Sequence, residues 1–127
     1  SVAGFAPRCA RTGYCASKYA LHGFFATLRT ELKPQGVAVT MVCPSFVDTE
    51  FAARGLRGDG ELRETSRTTR GRLLSPDDVA RAIVAAARTR RRLVVLPAAG
   101  KVAYLLSRIA PRLYERMMLK QYAGRQT

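Results

Sequence analysis

The stretch GYCASK, from Gly13 to Lys18, holds a tyrosine and a lysine four positions apart. In a helix this spacing places Tyr14 and Lys18 on one face, one turn apart. A phenol alone exchanges protons slowly near neutral pH, and an ammonium group one turn away favours the phenolate. The pair therefore suits proton transfer, although a Tyr-x-x-x-Lys spacing also arises by chance and needs support from other residues.

The elements that would position this pair are a helix and a buried strand. The pattern from Thr12 to Leu32 is helical, and small residues lie opposite its apolar stripe, which indicates close packing of a second helix there. Pro34 and Gly36 end this helix. The run Val37–Cys43 is typical of a strand covered on both faces. The predicted core stripe consists of Leu21, Phe24, Phe25, Leu28 and Leu32.

The rest of the chain continues the alternation that defines an α/β protein. Asp48–Leu74 is polar and longer than ordinary connections, which favours a functional lid. Ser75 and Pro76 then start a helix over Asp77–Thr89. Leu93–Leu96 is predicted as a second buried strand, and two helical segments, 101–110 and 111–121, follow it. At the other end, Ser1–Pro7 is predicted as the end of a strand that runs into a loop.

Composition excludes several classes of protein. The net charge of +13 is carried mostly by arginine, but stacking aromatics and nucleic-acid-binding motifs are missing, so we expect no nucleic-acid partner. Cys9, Cys15 and Cys43 are odd in number and lack metal-ligand spacing, which predicts neither disulfides nor a metal site. With no apolar leader or membrane-length run, the sequence predicts a cytoplasmic domain.

Three segments together resemble the short-chain dehydrogenase/reductase family. They are SVAG at Ser1–Gly4, YCASKYAL at Tyr14–Leu21 and VCPSFVDT at Val42–Thr49. The resemblance implies that residues 1–127 are the C-terminal part of one NAD(P)-binding domain, with a Rossmann-like doubly wound parallel sheet. It also implies an oxidoreductase that moves hydride between a nicotinamide cofactor and a carbonyl or secondary alcohol.

The family's catalytic residues match three positions of this sequence. Tyr14 is implied to be the general acid in reduction and the general base in oxidation. Lys18 is implied to favour the phenolate of Tyr14 and to hold the nicotinamide ribose, and Tyr14 is also expected to bind the cofactor. Ser1, thirteen positions before Tyr14, is implied to donate a hydrogen bond to the substrate oxygen.

The resemblance also assigns the binding residues. The loop that holds the nicotinamide of NAD or NADP matches Pro44, Ser45, Val47 and Thr49, with Ser45 in place of the family's usual glycine. Substrate contacts are expected from Ser1, Phe46 and Phe51, and also from Leu56, which favours an apolar substrate. Because no GxxxGxG segment follows a strand in this chain, we expect these residues alone to be inactive.

Other interpretations remain open at this stage. A basic, non-catalytic interaction module derived from the same family is the main alternative. A hydrolase that uses Ser1 would need a histidine, and the chain has only His22. The resemblance further implies a homodimer or homotetramer built through helix 14–32. The basic amphipathic tail, residues 101–121, would suit peripheral contact with a membrane.

Overall fold

A computed structural model of the chain describes residues 1–50, 60–61 and 73–124. The described residues form two parallel strands and four α-helices. In chain order these elements are α1 (Thr12–Glu31), β1 (Met41–Pro44), α2 (Pro76–Arg88), β2 (Leu93–Leu96), α3 (Ala98–Ile109) and α4 (Pro111–Ala123). The α/β class is confirmed, and from α1 onward the described helices and strands follow the predicted order. Most of the predicted lid, Asp48–Leu74, lies outside the described residues.

The two strands pair in parallel, from Met41 opposite Leu93 to Pro44 opposite Leu96. Parallel neighbours need a crossover connection, and α2 lies between them in sequence and contacts β1, which makes one βαβ unit. The core lies where this unit meets the chain's first residues and its last helix. Its buried residues are Phe5, Ala6, Cys43, Val95 and Tyr114.

The predicted strand Val37–Cys43 is wrong at its start, because β1 begins only at Met41. Among the described residues β1 pairs with β2, which itself begins at Leu93 and so offers no partner further upstream. The carbonyl of Val39 instead accepts a hydrogen bond from the guanidinium of Arg29.

The predicted strand end at Ser1–Pro7 is also wrong. Val2–Gly4 is a 3₁₀ turn, and the Ser1 hydroxyl oxygen caps it by accepting a hydrogen bond of 3.2 Å from the Ala3 amide. Beyond this turn Phe5 and Ala6 are each only 1% exposed. Apolar side chains therefore carry this segment into the core.

The length of α1 was predicted to within one residue, but its inward face was not. Three residues of the predicted core stripe are exposed, namely Leu21 at 47%, Phe24 at 61% and Phe25 at 37%. Leu28 and Leu32 are half-buried, and Cys15 is the helix's buried residue. The inward face is held by long-range contacts, including an edge-on contact between the rings of His22 and Phe5.

The remaining helices follow their local signals closely. The Asp78 amide donates to the Ser75 side chain at 3.1 Å, so Ser75 caps α2 as predicted. β2 has the predicted bounds, and α3 begins three residues before the predicted Lys101. No helix among the described residues is both long and apolar enough to cross a bilayer.

Candidate active site at the carboxyl end of β1

Tyr14 and Lys18 share a face at the start of α1, as their spacing predicts. The Lys18 Nζ atom lies 5.3 Å from the centroid of the Tyr14 ring, and both residues are half-buried. An ammonium group at this distance from an aromatic face is attracted to it. The geometry therefore holds a cation beside the phenol without removing either group from solvent.

The first turn of α1 is held in place by a buried cysteine and by backbone hydrogen bonds. Cys15 is only 6% exposed, and its amide donates to the Arg11 carbonyl at 2.8 Å, which starts the helical hydrogen bonding. The Tyr14 carbonyl accepts a hydrogen bond of 2.8 Å from the Ser17 hydroxyl. With Cys15 pointing into the protein, Tyr14 and Lys18 flank it at the edge of the buried surface.

Gly4 brings the Ser1 turn directly onto this helix. A Cβ atom at Gly4 would lie 2.9 Å from the carbonyl oxygen of Lys18, which is closer than real Cβ contacts allow. Only glycine permits this approach of the two backbones. Gly4 belongs to the SVAG segment, but its role is not predictable from the sequence. A close contact between distant segments leaves no local pattern.

Ser1 lies between α1 and the end of β1. The turn Val2–Gly4, which Ser1 caps, contacts both elements. The Ser1 hydroxyl oxygen accepts from the Ala3 amide, and its own proton can still be donated. Cys43 lies on β1, and burial raises the pKa of its thiol, so this thiol stays protonated near neutral pH.

The segment after β1 is held by backbone pairing. The Ser45 amide donates to the Leu96 carbonyl at 2.8 Å. Farther along, the Leu74 amide donates to the Phe46 carbonyl and the Asp48 amide to the Leu74 carbonyl, both at 2.9 Å. Of the predicted cofactor residues, Pro44 is thus the last residue of β1, and Ser45, Val47 and Thr49 follow it. They lie at the carboxyl end of a parallel strand, where ligands of such sheets bind.

Of the predicted substrate residues, Phe46 is described and Phe51 lies outside the described residues, as does Leu56. Phe46 is 36% exposed, and the Arg8 guanidinium carbon lies 4.5 Å from the centre of its ring. Sequence reasoning missed Arg8. Its partner Phe46 lies far away in the chain, in the segment after β1, so no spacing rule could have indicated the contact.

His22 does not serve the alternative of a Ser1 hydrolase in this arrangement. Its ring meets Phe5 edge-on, with 6.0 Å between the centroids. Burial lowers its pKa, and Arg108 and Arg92 lower it further. His22 is thus a core-edge residue held in its neutral form, as expected from its place in the sequence.

A separate cleft of about 270 Å³ lies between α1, α3 and α4. It contains none of the predicted site residues. The side chains of Ser107 and Tyr114 in its wall already donate to the backbone carbonyls of Phe5 and Pro7. We therefore place the candidate active site at the end of β1 and not in this cleft.

Residues 1–58 match the family model described as short chain dehydrogenase. The chain thus belongs to the short-chain dehydrogenase/reductase family, whose fold is Rossmann-like, and the recognition made from its motifs is confirmed.

The relatives include two proteins described as dehydrogenase/reductase SDR family protein 7-like. The one from Dictyostelium discoideum is 36% identical over 91% of this chain, and the one from Anopheles gambiae is 31% identical over 87%. A probable oxidoreductase, EphD, from Mycobacterium bovis is 32% identical over 88%. This chain spans 35% of each of the first two relatives and 20% of the third.

Proposed function

We propose that this chain supplies the catalytic residues of an NAD(P)-dependent oxidoreductase acting on a carbonyl or secondary alcohol. The observation that carries the proposal is the position of the Lys18 ammonium 5.3 Å from the centre of the Tyr14 ring. Sequence similarity to proteins described as dehydrogenases and oxidoreductases supports oxidoreductase activity as the general class.

In this proposal Tyr14 moves the proton. When a carbonyl is reduced its oxygen becomes anionic, and the Tyr14 hydroxyl donates the proton that this oxygen needs. The Lys18 ammonium stabilises the phenolate left behind. Ser1 donates a hydrogen bond to the same substrate oxygen and so stabilises the charge where it develops. In the oxidation of an alcohol, Tyr14 accepts the proton.

The donor groups at this edge fit the nicotinamide end of a dinucleotide. Tyr14 and Lys18 offer a hydroxyl and an ammonium group on one face of α1 to bind the ribose hydroxyls. The segment Pro44–Thr49, which includes Ser45 and Val47, lies at the end of β1 and is proposed to contact the nicotinamide ring. The nicotinamide, when bound, supplies or accepts the hydride. The choice between NAD and NADP is left open by these residues.

The substrate proposed for this site is an apolar carbonyl compound or its alcohol. Phe46 offers a partly exposed aromatic face next to the loop that follows β1. Phe51 is proposed as a further contact from its place in the sequence. The arginine over the Phe46 ring holds this ring in position, because cations and aromatic faces attract each other.

We also propose that the protein is cytoplasmic and self-associates through helix 14–32. On α1 the exposed apolar side chains of Leu21, Phe24 and Phe25 lie on one side of the helix, which favours burial against a partner copy. Free thiols at all three cysteines are compatible with a reducing compartment.

Replacement of Tyr14 by phenylalanine tests the catalytic proposal in the complete protein. We expect Tyr14→Phe to lower kcat by roughly 10²- to 10⁴-fold, the usual contribution of a positioned acid or base. Tyr19→Phe, on the same helix, is the matched control and should leave kcat unchanged. Turnover is measured as oxidation of NADH or NADPH with aromatic and aliphatic ketones.

The basic interaction module is the competing function, favoured by the charge of +13. It predicts no turnover in the complete protein and no effect of Tyr14→Phe on the module's interaction. Equal turnover by the Tyr14→Phe variant and the unmodified protein would contradict the catalytic proposal. Residues 1–127 expressed alone are expected to lack turnover, since the chain has no GxxxGxG segment for the pyrophosphate.

A further inference from the structure

Helix α3 exposes an apolar ridge along its outer side. Val102 is 61%, Leu105 53% and Ile109 79% exposed, and their spacing of three and four places them in one line. Lys101 and Arg108 border this line and are exposed as well. The opposite side of α3, which includes the buried Gly100, faces the core.

Helix α4 adds a basic strip. Arg112, Arg116 and Lys120 recur every four residues, and all three are exposed. Leu113 and Leu119, at 51% and 61% exposed, lie on either side of this strip. The buried Tyr114 lies on the other side of the helix and faces the core.

The inner faces of both helices are fixed, so the ridge cannot turn inward. The Ser107 hydroxyl donates to the Phe5 carbonyl at 3.1 Å, and the Tyr114 hydroxyl donates to the Pro7 carbonyl at 2.9 Å. A Cβ atom at Gly100 would lie 3.1 Å from both Val2 and Val95, so α3 packs closely here. The outward direction of the ridge and of the strip is therefore a consequence of how each helix is anchored.

Charge decides which partner suits this face. Residues 98–124 carry five basic side chains and one acidic side chain, Glu115. A second copy would bring like charges together, and a nucleic acid would leave the apolar ridge exposed to water. A bilayer surface with anionic headgroups accepts both features, because the ridge enters the acyl boundary while the cations meet phosphates.

We propose that α3 and α4 form a docking face for the surface of a membrane that contains anionic phospholipid. The face lies in the plane of the interface and does not span the bilayer. Binding uses the ridge Val102, Leu105 and Ile109 together with the strip Arg112, Arg116 and Lys120. It does not depend on the catalytic proposal, since none of these residues belongs to the candidate active site.

Sedimentation of the complete protein with vesicles tests this proposal. The vesicles are phosphatidylcholine alone or phosphatidylcholine mixed with phosphatidylserine. We expect binding to the mixed vesicles, with affinity that falls in high salt. Removing two cations near an anionic surface should weaken binding roughly tenfold or more, so Arg112→Gln/Arg116→Gln is the charge variant.

Matched variants distinguish binding through this face from non-specific binding to vesicles. Leu105→Ser/Ile109→Ser should lower vesicle binding, whereas Ile83→Ser/Val84→Ser on α2, where the two residues are 46% and 50% exposed, should not. Arg88→Gln/Arg91→Gln, which removes two exposed cations outside α3 and α4, is the control for charge and should weaken vesicle binding less than Arg112→Gln/Arg116→Gln does. Failure to bind mixed vesicles, or equal binding by the ridge variant, overturns the proposal. So does a concentration-dependent oligomer that only the ridge variant disrupts, since a second copy would then cover the face.

Discussion

The hydroxyl of Tyr114 donates a hydrogen bond of 2.9 Å to the carbonyl oxygen of Pro7, which lies 107 positions earlier in the chain. Tyr114 is 5% exposed and belongs to the core cluster, together with Phe5 and Ala6. Pro7 lies on the segment that joins the Ser1 turn to α1. This bond therefore ties α4 to the segment that connects Ser1 with Tyr14 and Lys18.

We expect Tyr114→Phe to lower the free energy of unfolding by about 1 kcal/mol, because the partly buried Pro7 carbonyl loses its donor while the ring remains. Chemical denaturation of the complete protein measures the change. Tyr122→Phe, on the same helix and at a side chain 38% exposed, is the control and should have little effect. Equal stability of the Tyr114→Phe variant and the unmodified protein would show that the bond contributes nothing.

The contact of Gly4 with α1 leads to a second prediction. Gly4→Ala places a Cβ atom 2.9 Å from the Lys18 carbonyl oxygen, so one backbone must move. We expect a loss of roughly 1–3 kcal/mol in stability, as for other overpacked sites. Because the displaced segment carries Ser1 and the displaced helix carries Tyr14 and Lys18, kcat should fall as well.

Gly23→Ala is the matched control, since nothing lies within 4 Å of a Cβ atom there and the residue is inside α1. Alanine is the better helix former, so this variant should gain roughly 0.5–1 kcal/mol. Thermal denaturation of both variants beside the unmodified protein gives the comparison. A Gly4→Ala protein as stable as the Gly23→Ala protein would contradict the close contact.

The features that the sequence predicted well are those with local causes. A serine cap, a proline at the first helical position and two acidic residues define the start of α2 within a few residues of chain. The shared face of Tyr14 and Lys18 follows from helical spacing alone. The order of elements follows from hydrophobic periodicity, which is read over short windows.

The features that it missed depend on distant partners. The inward face of α1 is set by contacts with Gly4 and Phe5, while three of the five residues of the predicted apolar stripe remain exposed. The start of β1 is set by the first residue of β2. The contact of Arg8 with Phe46 joins segments that no periodic pattern connects. Each of these requires knowledge of the fold before it can be predicted.

His22 provides a prediction for the dependence of stability on pH. Its pKa is lowered from the ordinary value of 6.5, first by burial and then by Arg108 and Arg92. The unfolded chain therefore takes up a proton near pH 6.5 that the folded chain accepts only at lower pH. Above pH 6.5 His22 is therefore mainly neutral in both the folded and the unfolded chain and does not change the free energy of unfolding. As the pH drops below 6.5, proton uptake by the unfolded chain lowers the free energy of unfolding.

We expect the thermal midpoint of the unmodified protein to fall more than that of His22→Gln between about pH 7.5 and 5.5, where histidine titrates. Carboxyl groups that titrate in this range affect both proteins, so the difference between them isolates His22. Arg108→Gln should reduce the same loss, since it removes one of the cations that disfavour the imidazolium, whereas Arg116→Gln on α4 serves as its control. An identical pH dependence with and without His22 would mean that the folded protein does not perturb this imidazole, and a larger fall in His22→Gln would reverse the sign of the argument.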